Sequence, residues 1–98
     1  CVQGLVAHIG DILLHDVLGA NLAGVCSVWL QPELPDELRQ AAPEERARWP
    51  GFREHLDEVL EGSRYRRFHP EGTLETCMPD VVAVDVDEAA AAVLRITR

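Results

Sequence analysis

Two carboxylates lie close together in the sequence, just after its first apolar segment. Residues 5–9 (LVAHI) are followed directly by Gly10 and Asp11, and Asp16 comes five residues later. An apolar run of this length is typical of a buried strand, and in open α/β sheets ligands bind beyond the carboxyl ends of the strands. Mg²⁺ prefers oxygen ligands and usually keeps several of its waters. We therefore predict that Asp11 and Asp16 are the ligands of a metal site, with Mg²⁺ as the cation.

These two acids belong to a predicted strand–helix–strand unit. A helix is predicted over residues 16–23, where Gly24 can act as the C-cap, and a second strand over residues 26–30 (CSVWL). The apolar face of the helix is expected to comprise Val17, Leu18 and Leu22. Two short strands joined by a helix favour parallel pairing.

The rest of the chain continues the alternation of helices and strands. Helices are predicted over residues 36–42 and 51–61, a third strand over 81–84, and a last helix over 88–94 with Asp87 as its N-cap. The packing face around the 51–61 helix is expected to comprise Trp49, Phe52, Leu56, Val59 and Leu60. This order of elements is typical of an α/β domain with a parallel sheet.

The composition argues against several classes of partner. The 98 residues carry 17 acids and 9 bases, a net charge of −8, and contain no lysine. Such a chain has no general attraction to nucleic acid or to anionic lipid, and no apolar run is long enough to span a membrane. Three cysteines without a C-x-x-C spacing argue against a disulfide framework, and the first residues lack the basic region of a signal peptide. We expect a location in the cytoplasm or inside an organelle rather than secretion.

Residues 7–30, AHIGDILLHDVLGANLAGVCSVWL, resemble motif IV of the haloacid dehalogenase (HAD) superfamily. The matching positions are Ile9, Gly10, Asp11, Asp16, Val17, Gly19, Ala20, Ala23, Gly24, Val25, Val28, Trp29 and Leu30. Residues 79–98 are similar to the last strand and helix that follow this motif, whereas residues 33–78 match no part of the family pattern.

The resemblance implies a fold and a division of the chain. Residues 1–98 are expected to form the C-terminal part of a three-layer α/β/α, Rossmann-like core with a parallel sheet. Residues 1–32 are then the motif IV strand–helix–strand unit, residues 33–78 a helical insert, and residues 79–98 the final strand and helix. Trp29 is expected in the core or at its rim.

The same resemblance implies a Mg²⁺-dependent hydrolase, most often a phosphatase of small phosphomonoesters. In the family, an Asp of motif I attacks phosphorus, a second Asp acts as general acid and base, and a Ser or Thr and a Lys hold the phosphoryl oxygens. The motif IV carboxylates hold Mg²⁺, which neutralises charge on the transferred group. Carried over by position, Asp11 is a Mg²⁺ ligand, and Asp16 binds through water or orients the ligands. No catalytic residue is assigned to this chain.

The sequence departs from the family pattern in three ways. Motif I and the lysine are absent, and Ile12, Leu13 and Leu14 stand where a small polar residue normally follows Gly-Asp. We therefore expect a C-terminal fragment that is inactive by itself. The phosphorylated small-molecule substrate would bind through the missing N-terminal half.

Two alternatives to the hydrolase hypothesis remain open from the sequence. The chain is either a degenerate, non-catalytic relative that contacts a protein partner through the amphipathic segment 33–62, or a phosphate-binding α/β domain of other ancestry. The three apolar residues after Asp11 and the unusual insert motivate the first alternative. The extended match over residues 7–30 disfavours the second.

Several polar groups have both a functional and a structural interpretation. Asp11 and Asp16 could be a turn acid and a helix N-cap, although the surrounding motif favours metal binding. His8 and His15 flank them and could bind a transition metal, but we favour a structural role. Residues 81–87 (VVAVDVD) open like motif I, but an N-cap acid explains them better. Residues 64–69 (RYRRFH) could meet a phosphorylated substrate or a partner's acids, and we favour a solvated loop.

Overall fold

Three parallel strands form the sheet of the protein in a computed structural model, which describes residues 6–96. They are β1 (Ala7–Gly10), β2 (Cys26–Leu30) and β3 (Val81–Ala83), in that spatial order. Ile9 of β1 pairs with Val28 of β2, which pairs in turn with Val81 of β3. The predicted α/β class and the parallel sheet are therefore confirmed, while Leu5, the predicted start of the first strand, lies outside the described residues.

Four α-helices and three short helical turns accompany the strands within residues 6–96. The α-helices are α1 (Leu18–Ala23), α2 (Asp36–Arg39), α3 (Phe52–Glu61) and α4 (Val86–Ile96). The turns are a π-helical turn over Leu13–Val17 and two 3₁₀ turns over Arg46–Arg48 and Arg66–Phe68. Within residues 6–96, no helix combines the length and apolarity that a bilayer crossing requires.

The sheet separates two apolar cores, which makes the domain three-layered. The larger core joins one sheet face to the π turn, α1 and the insert, and its buried members are Leu13, Leu14, Val17, Leu18, Trp29, Leu34, Leu38, Phe52, Leu56, Leu60, Cys77 and Val82. The smaller core joins the other sheet face to α4, and its buried members are Val28, Val81, Ala83, Ala89 and Ala92. Ala89 and Ala92 of α4 face the sheet, and such small side chains permit a close approach of the helix.

The structure corrects two predicted helices. The helix expected over 36–42 ends at Arg39, because the carbonyl oxygens of Leu38 and Arg39 accept hydrogen bonds from the Arg46 side chain. The last helix begins at Val86, and its cap is Asp85 rather than Asp87. The Asp85 Oδ1 atom accepts the backbone N–H of Glu88 at 2.7 Å.

Two apolar residues that were expected to be buried are exposed. Leu22 is 63% exposed, because the side of α1 that carries it is covered by none of the described residues. Trp49 is 42% exposed and precedes α3 instead of belonging to its buried face. The other expected members of that face, including Phe52 and Leu56, are buried or partly buried in the larger core.

Arg46 is a buried charge whose donors are all used. Its side chain is 2% exposed, and the five guanidinium N–H groups meet five acceptors. These acceptors are the carbonyl oxygens of Leu38, Arg39 and Val82 and both carboxylate oxygens of Glu88. The guanidinium thus connects the insert, β3 and the first turn of α4, and Glu88 also accepts the backbone N–H of Val84.

Replacing Arg46 by alanine is expected to destabilise the domain by about 3–5 kcal/mol, since it leaves Glu88 and three carbonyl groups without their donor. Arg48 is the matched control, because it lies in the same 3₁₀ turn, is exposed, and makes no ion pair within residues 6–96. Arg48→Ala should change the free energy of unfolding by no more than about 0.5 kcal/mol. Urea unfolding followed by circular dichroism measures both, and equal effects would contradict the assigned role.

Acid should weaken the link between the insert and α4. The hydrogen bonds from Arg95 to Glu44, at 2.7 and 2.9 Å, lower the pKa of Glu44 from 4.5 to about 2. A carboxyl group whose pKa is lower in the folded state stabilises the protein above pH 4.5, and that stabilisation is lost as the pH falls towards 2. The wild type should therefore lose more stability over this window than Glu44→Gln. Glu58→Gln, which removes an exposed acid of α3, should follow the wild-type profile in the same unfolding series.

Candidate functional site

Asp11 lies at the carboxyl end of β1, where the chain leaves the sheet. The strand ends at Gly10, and the Asp11 side chain is exposed and makes no hydrogen bond or ion pair within the described part of the chain. The Asp11 backbone is fixed by a hydrogen bond, since the indole N–H of the buried Trp29 donates to the Asp11 carbonyl oxygen at 3.2 Å. The carboxylate is thus a free ligand group on a fixed turn.

Asp16 lies in the π turn and is already engaged by its neighbours. One carboxylate oxygen accepts a hydrogen bond from His8 Nε2 at 2.9 Å, and the other accepts the backbone N–H of Ile12 at 3.0 Å. The Asp16 backbone N–H donates back to the Ile12 carbonyl oxygen at 2.7 Å. This reciprocal pair fixes the residue that follows Asp11, so Asp16 acts on the site by positioning the turn.

Gly10 is required by this arrangement. A Cβ atom at position 10 would lie 2.1 Å from the Cγ atom of Asp16, closer than two non-bonded carbons can approach. The Gly-Asp pair and the second Asp of the motif are therefore linked sterically, since the carboxylate occupies the space that a side chain at Gly10 would need.

The Asp16 carboxyl group is held in its ionised form. Partial burial alone would raise its pKa, but the hydrogen bonds from His8 and from the Ile12 N–H and the charges of His8 and His15 outweigh this effect and lower the pKa. The group is an anion at neutral pH. In the structure, this anion already accepts a hydrogen bond from His8.

The two acids differ in what they could offer a cation, and they line different pockets of the surface. Asp11 offers a free carboxylate, and each oxygen of Asp16 retains a lone pair beside its one hydrogen bond. Residues 6–96 contain no cluster of three or more His, Cys, Asp or Glu side chains that could hold a metal.

The two histidines of this region face different neighbours. His8 is paired with Asp16. The ring of His15 packs edge-on against the rings of Tyr65 and His69, with centroid distances of 4.7 and 4.9 Å. Both rings are thus engaged within the described part of the chain, and the structural role of the histidines stays a prediction.

The insert forms one side of a pocket beside Asp11, which the sequence did not indicate. The pocket has a volume of about 350 Å³ and is lined by Asp11, Ile12, Leu13, Val59, Gly62, Ser63, Arg64 and Tyr65. Leu13 and Leu14 are apolar because they pack under the insert, at 4% and 1% exposure. Core packing thus explains why Leu13 and Leu14 are apolar, whereas Ile12, the residue directly after Asp11, lines the pocket.

A larger cavity, of about 600 Å³, lies beside Met78, Pro79 and Asp80, the residues that lead into β3. Its acids already have partners, since Glu44 binds Arg95 and Asp80 accepts hydrogen bonds from Ser27. The segment that opens like motif I also has a structural role, because Asp85 caps α4.

Comparisons of the chain with models of protein families, with curated proteins and with solved structures found no match. The HAD resemblance stays a prediction from the motif.

Substitution of Gly10 by alanine should displace the Asp16 carboxylate and free the Ile12 N–H. We expect Gly10→Ala to destabilise the protein by about 1–3 kcal/mol, the usual range for overpacking. At Gly19 in α1, a Cβ atom would meet no other atom within 4 Å, so Gly19→Ala should stabilise by up to about 1 kcal/mol through helix propensity. Urea unfolding and amide exchange at Ile12 measure the contrast. Equal stabilisation by both alanines would contradict the steric role of Gly10.

Proposed function

We propose that this chain supplies the metal-holding turn of a Mg²⁺-dependent, HAD-like hydrolase that acts on small phosphomonoesters. The observation that carries the proposal is the support of the Asp11 turn by other motif residues. Gly10 leaves room for the Asp16 carboxylate, Asp16 binds the Ile12 N–H, and Trp29 binds the Asp11 carbonyl oxygen. Residues of the motif thus contact one another around Asp11, whose carboxylate has no partner within residues 6–96.

The open edge of the sheet supports the same proposal. Within the described sheet β1 pairs with β2 alone, and its flank exposes Val6 and Ile9 at 57% and 38%. Natural sheets usually protect such an edge by charge, proline, a bulge or a covering element. Further strands beyond β1, carrying the nucleophile and the lysine on another segment, would cover these residues and complete the site.

In this proposal the residues of the chain have distinct tasks. Asp11 would hold the cation directly, and Asp16 would keep the turn in place and add its charge at longer range. The bound Mg²⁺ would neutralise charge on the transferred phosphoryl group. The chain itself provides no nucleophile and no proton donor for the leaving group, so we propose that it is inactive by itself.

The alternative was a non-catalytic relative that contacts a protein partner through segment 33–62. One of the two features that motivated it has another explanation. Leu13 and Leu14 are part of the larger core, and so are apolar positions of segment 33–62, including Leu38 and Leu56, whereas Ile12 is not among its members. A protein partner of this segment would meet its acidic outer surface and the half-exposed Trp49. No contact on this surface favours that function over metal binding at Asp11.

Titration of the ¹⁵N-labelled chain with Mg²⁺ tests the proposed metal site. We expect millimolar binding, with amide shifts concentrated at Gly10, Asp11 and Ile12, because a single free carboxylate holds a hydrated cation weakly. Asp11→Asn should abolish these shifts. Asp57→Asn removes an exposed acid of α3 and should leave them unchanged.

Two outcomes would contradict the proposal. Shifts spread evenly over the exposed acids, and equal in Asp11→Asn, would show nonspecific ion binding. The hydrolase assignment also fails if the intact gene product, isolated from its source, does not cleave p-nitrophenyl phosphate in the presence of Mg²⁺.

A further inference from the structure

We infer that the pocket between the Asp11 turn and the end of α3 binds the leaving-group part of the substrate, and that Arg64 recognises a second anionic group on it. This inference rests on the proposed function, because Asp11 marks the phosphoryl end of the pocket. The ligand class is a short phosphomonoester that carries a carboxylate or a second phosphate.

The pocket has a charged group of each sign and apolar sides. Asp11 and Arg64 supply the opposite charges, while Leu13, Val59 and Tyr65 supply apolar surface. A volume of about 350 Å³ is at the lower end of the range for small-molecule sites. This volume suits a small substrate, and we assign to it a short carbon chain between two polar ends.

Arg64 is held in place by its own segment. Its guanidinium lies over the ring of Tyr65, with Cζ 5.4 Å from the ring centroid, and a cation over an aromatic face is attracted by the ring quadrupole. The hydroxyl oxygen of Ser63 accepts the Tyr65 N–H at 3.2 Å, and Tyr65 also packs against His15. The arginine is therefore partly ordered before a ligand binds, which lowers the entropy that binding must overcome.

Arg64 shares its pocket with the carboxylate of Asp11 but is not paired with it. Within residues 6–96 its guanidinium makes no ion pair with any Asp or Glu, although the chain carries 17 acids. A guanidinium presents a planar pair of donors that matches carboxylate and phosphate oxygens. In a chain of net charge −8, a free arginine at the side of a pocket gives an anionic ligand a local attraction that the overall charge opposes.

Arg67 provides a matched control. Its guanidinium lies over the ring of Phe68, with Cζ 5.2 Å from the centroid, so it repeats the stacking of Arg64. It is not among the residues that line the pocket. Both arginines are exposed, and glutamine at either position should leave the fold intact, which the dispersion of the amide spectrum verifies.

The test compares two esters by amide-shift titration of the 98-residue chain with Mg²⁺ present. The probes are 3-phosphooxypropanoate and propyl phosphate, which differ in a terminal carboxylate against a methyl group. We expect the carboxylate ester to bind the wild type about tenfold more tightly, the scale of one charge-assisted hydrogen bond. Arg64→Gln should reduce this preference to near unity and leave propyl phosphate binding within about twofold, while Arg67→Gln should keep the wild-type preference.

The outcomes separate the inference from the proposed function. Equal binding of both esters to the wild type, no binding of either, or an equal loss in both arginine variants would overturn the role of Arg64. If Mg²⁺ still shifts the amides around Asp11 in those cases, the metal site stands without this pocket. If the Mg²⁺ shifts at Asp11 are also absent, the proposed function fails with it.

Discussion

The burial of the Arg46 guanidinium is the constraint on which the layers of this small domain depend. An isolated buried charge is strongly unfavourable, so the surrounding backbone must present enough acceptors for all five N–H groups. The chain meets this demand by ending α2 early, by directing the Val82 carbonyl oxygen at the guanidinium, and by placing Glu88 in the first turn of α4. The apolar cores hold the layers together, but this ion pair determines how the insert sits against them.

The elements with strong local signals could be predicted from the sequence. Apolar periodicity and glycine position predict the strand over 26–30, the helix that ends at Gly62 and the C-cap at Gly24, and the structure confirms them. These features depend on residues within one turn or one strand. The parallel sheet followed from the connections, because short strands separated by helices cannot pair otherwise without long loops.

The features that could not be predicted depend on contacts between distant residues. The early end of α2 depends on Arg46, a residue that appears in the sequence as one more exposed charge of an acidic segment. The expected cap of α4 lies two residues too late because Asp85 and Asp87 are both good N-cap residues, and the choice between them depends on Glu88, which is fixed by Arg46. The pocket beside Asp11 needs the end of α3 to return to β1, and no local pattern encodes that return.

The burial of Arg46 also affects the candidate site, because the insert connects the two. Arg46 attaches one part of the insert to the carboxyl end of β3, and the apolar residues of α3 attach the next part to Leu13 and Leu14, just beyond the carboxyl end of β1. The insert therefore crosses the edge of the sheet where ligands of α/β domains bind. Because Asp11 is fixed by its own turn and the opposite side of the pocket by α3, the separation between them is determined by packing that begins at Arg46. A substitution there would alter the pocket without touching any residue that lines it.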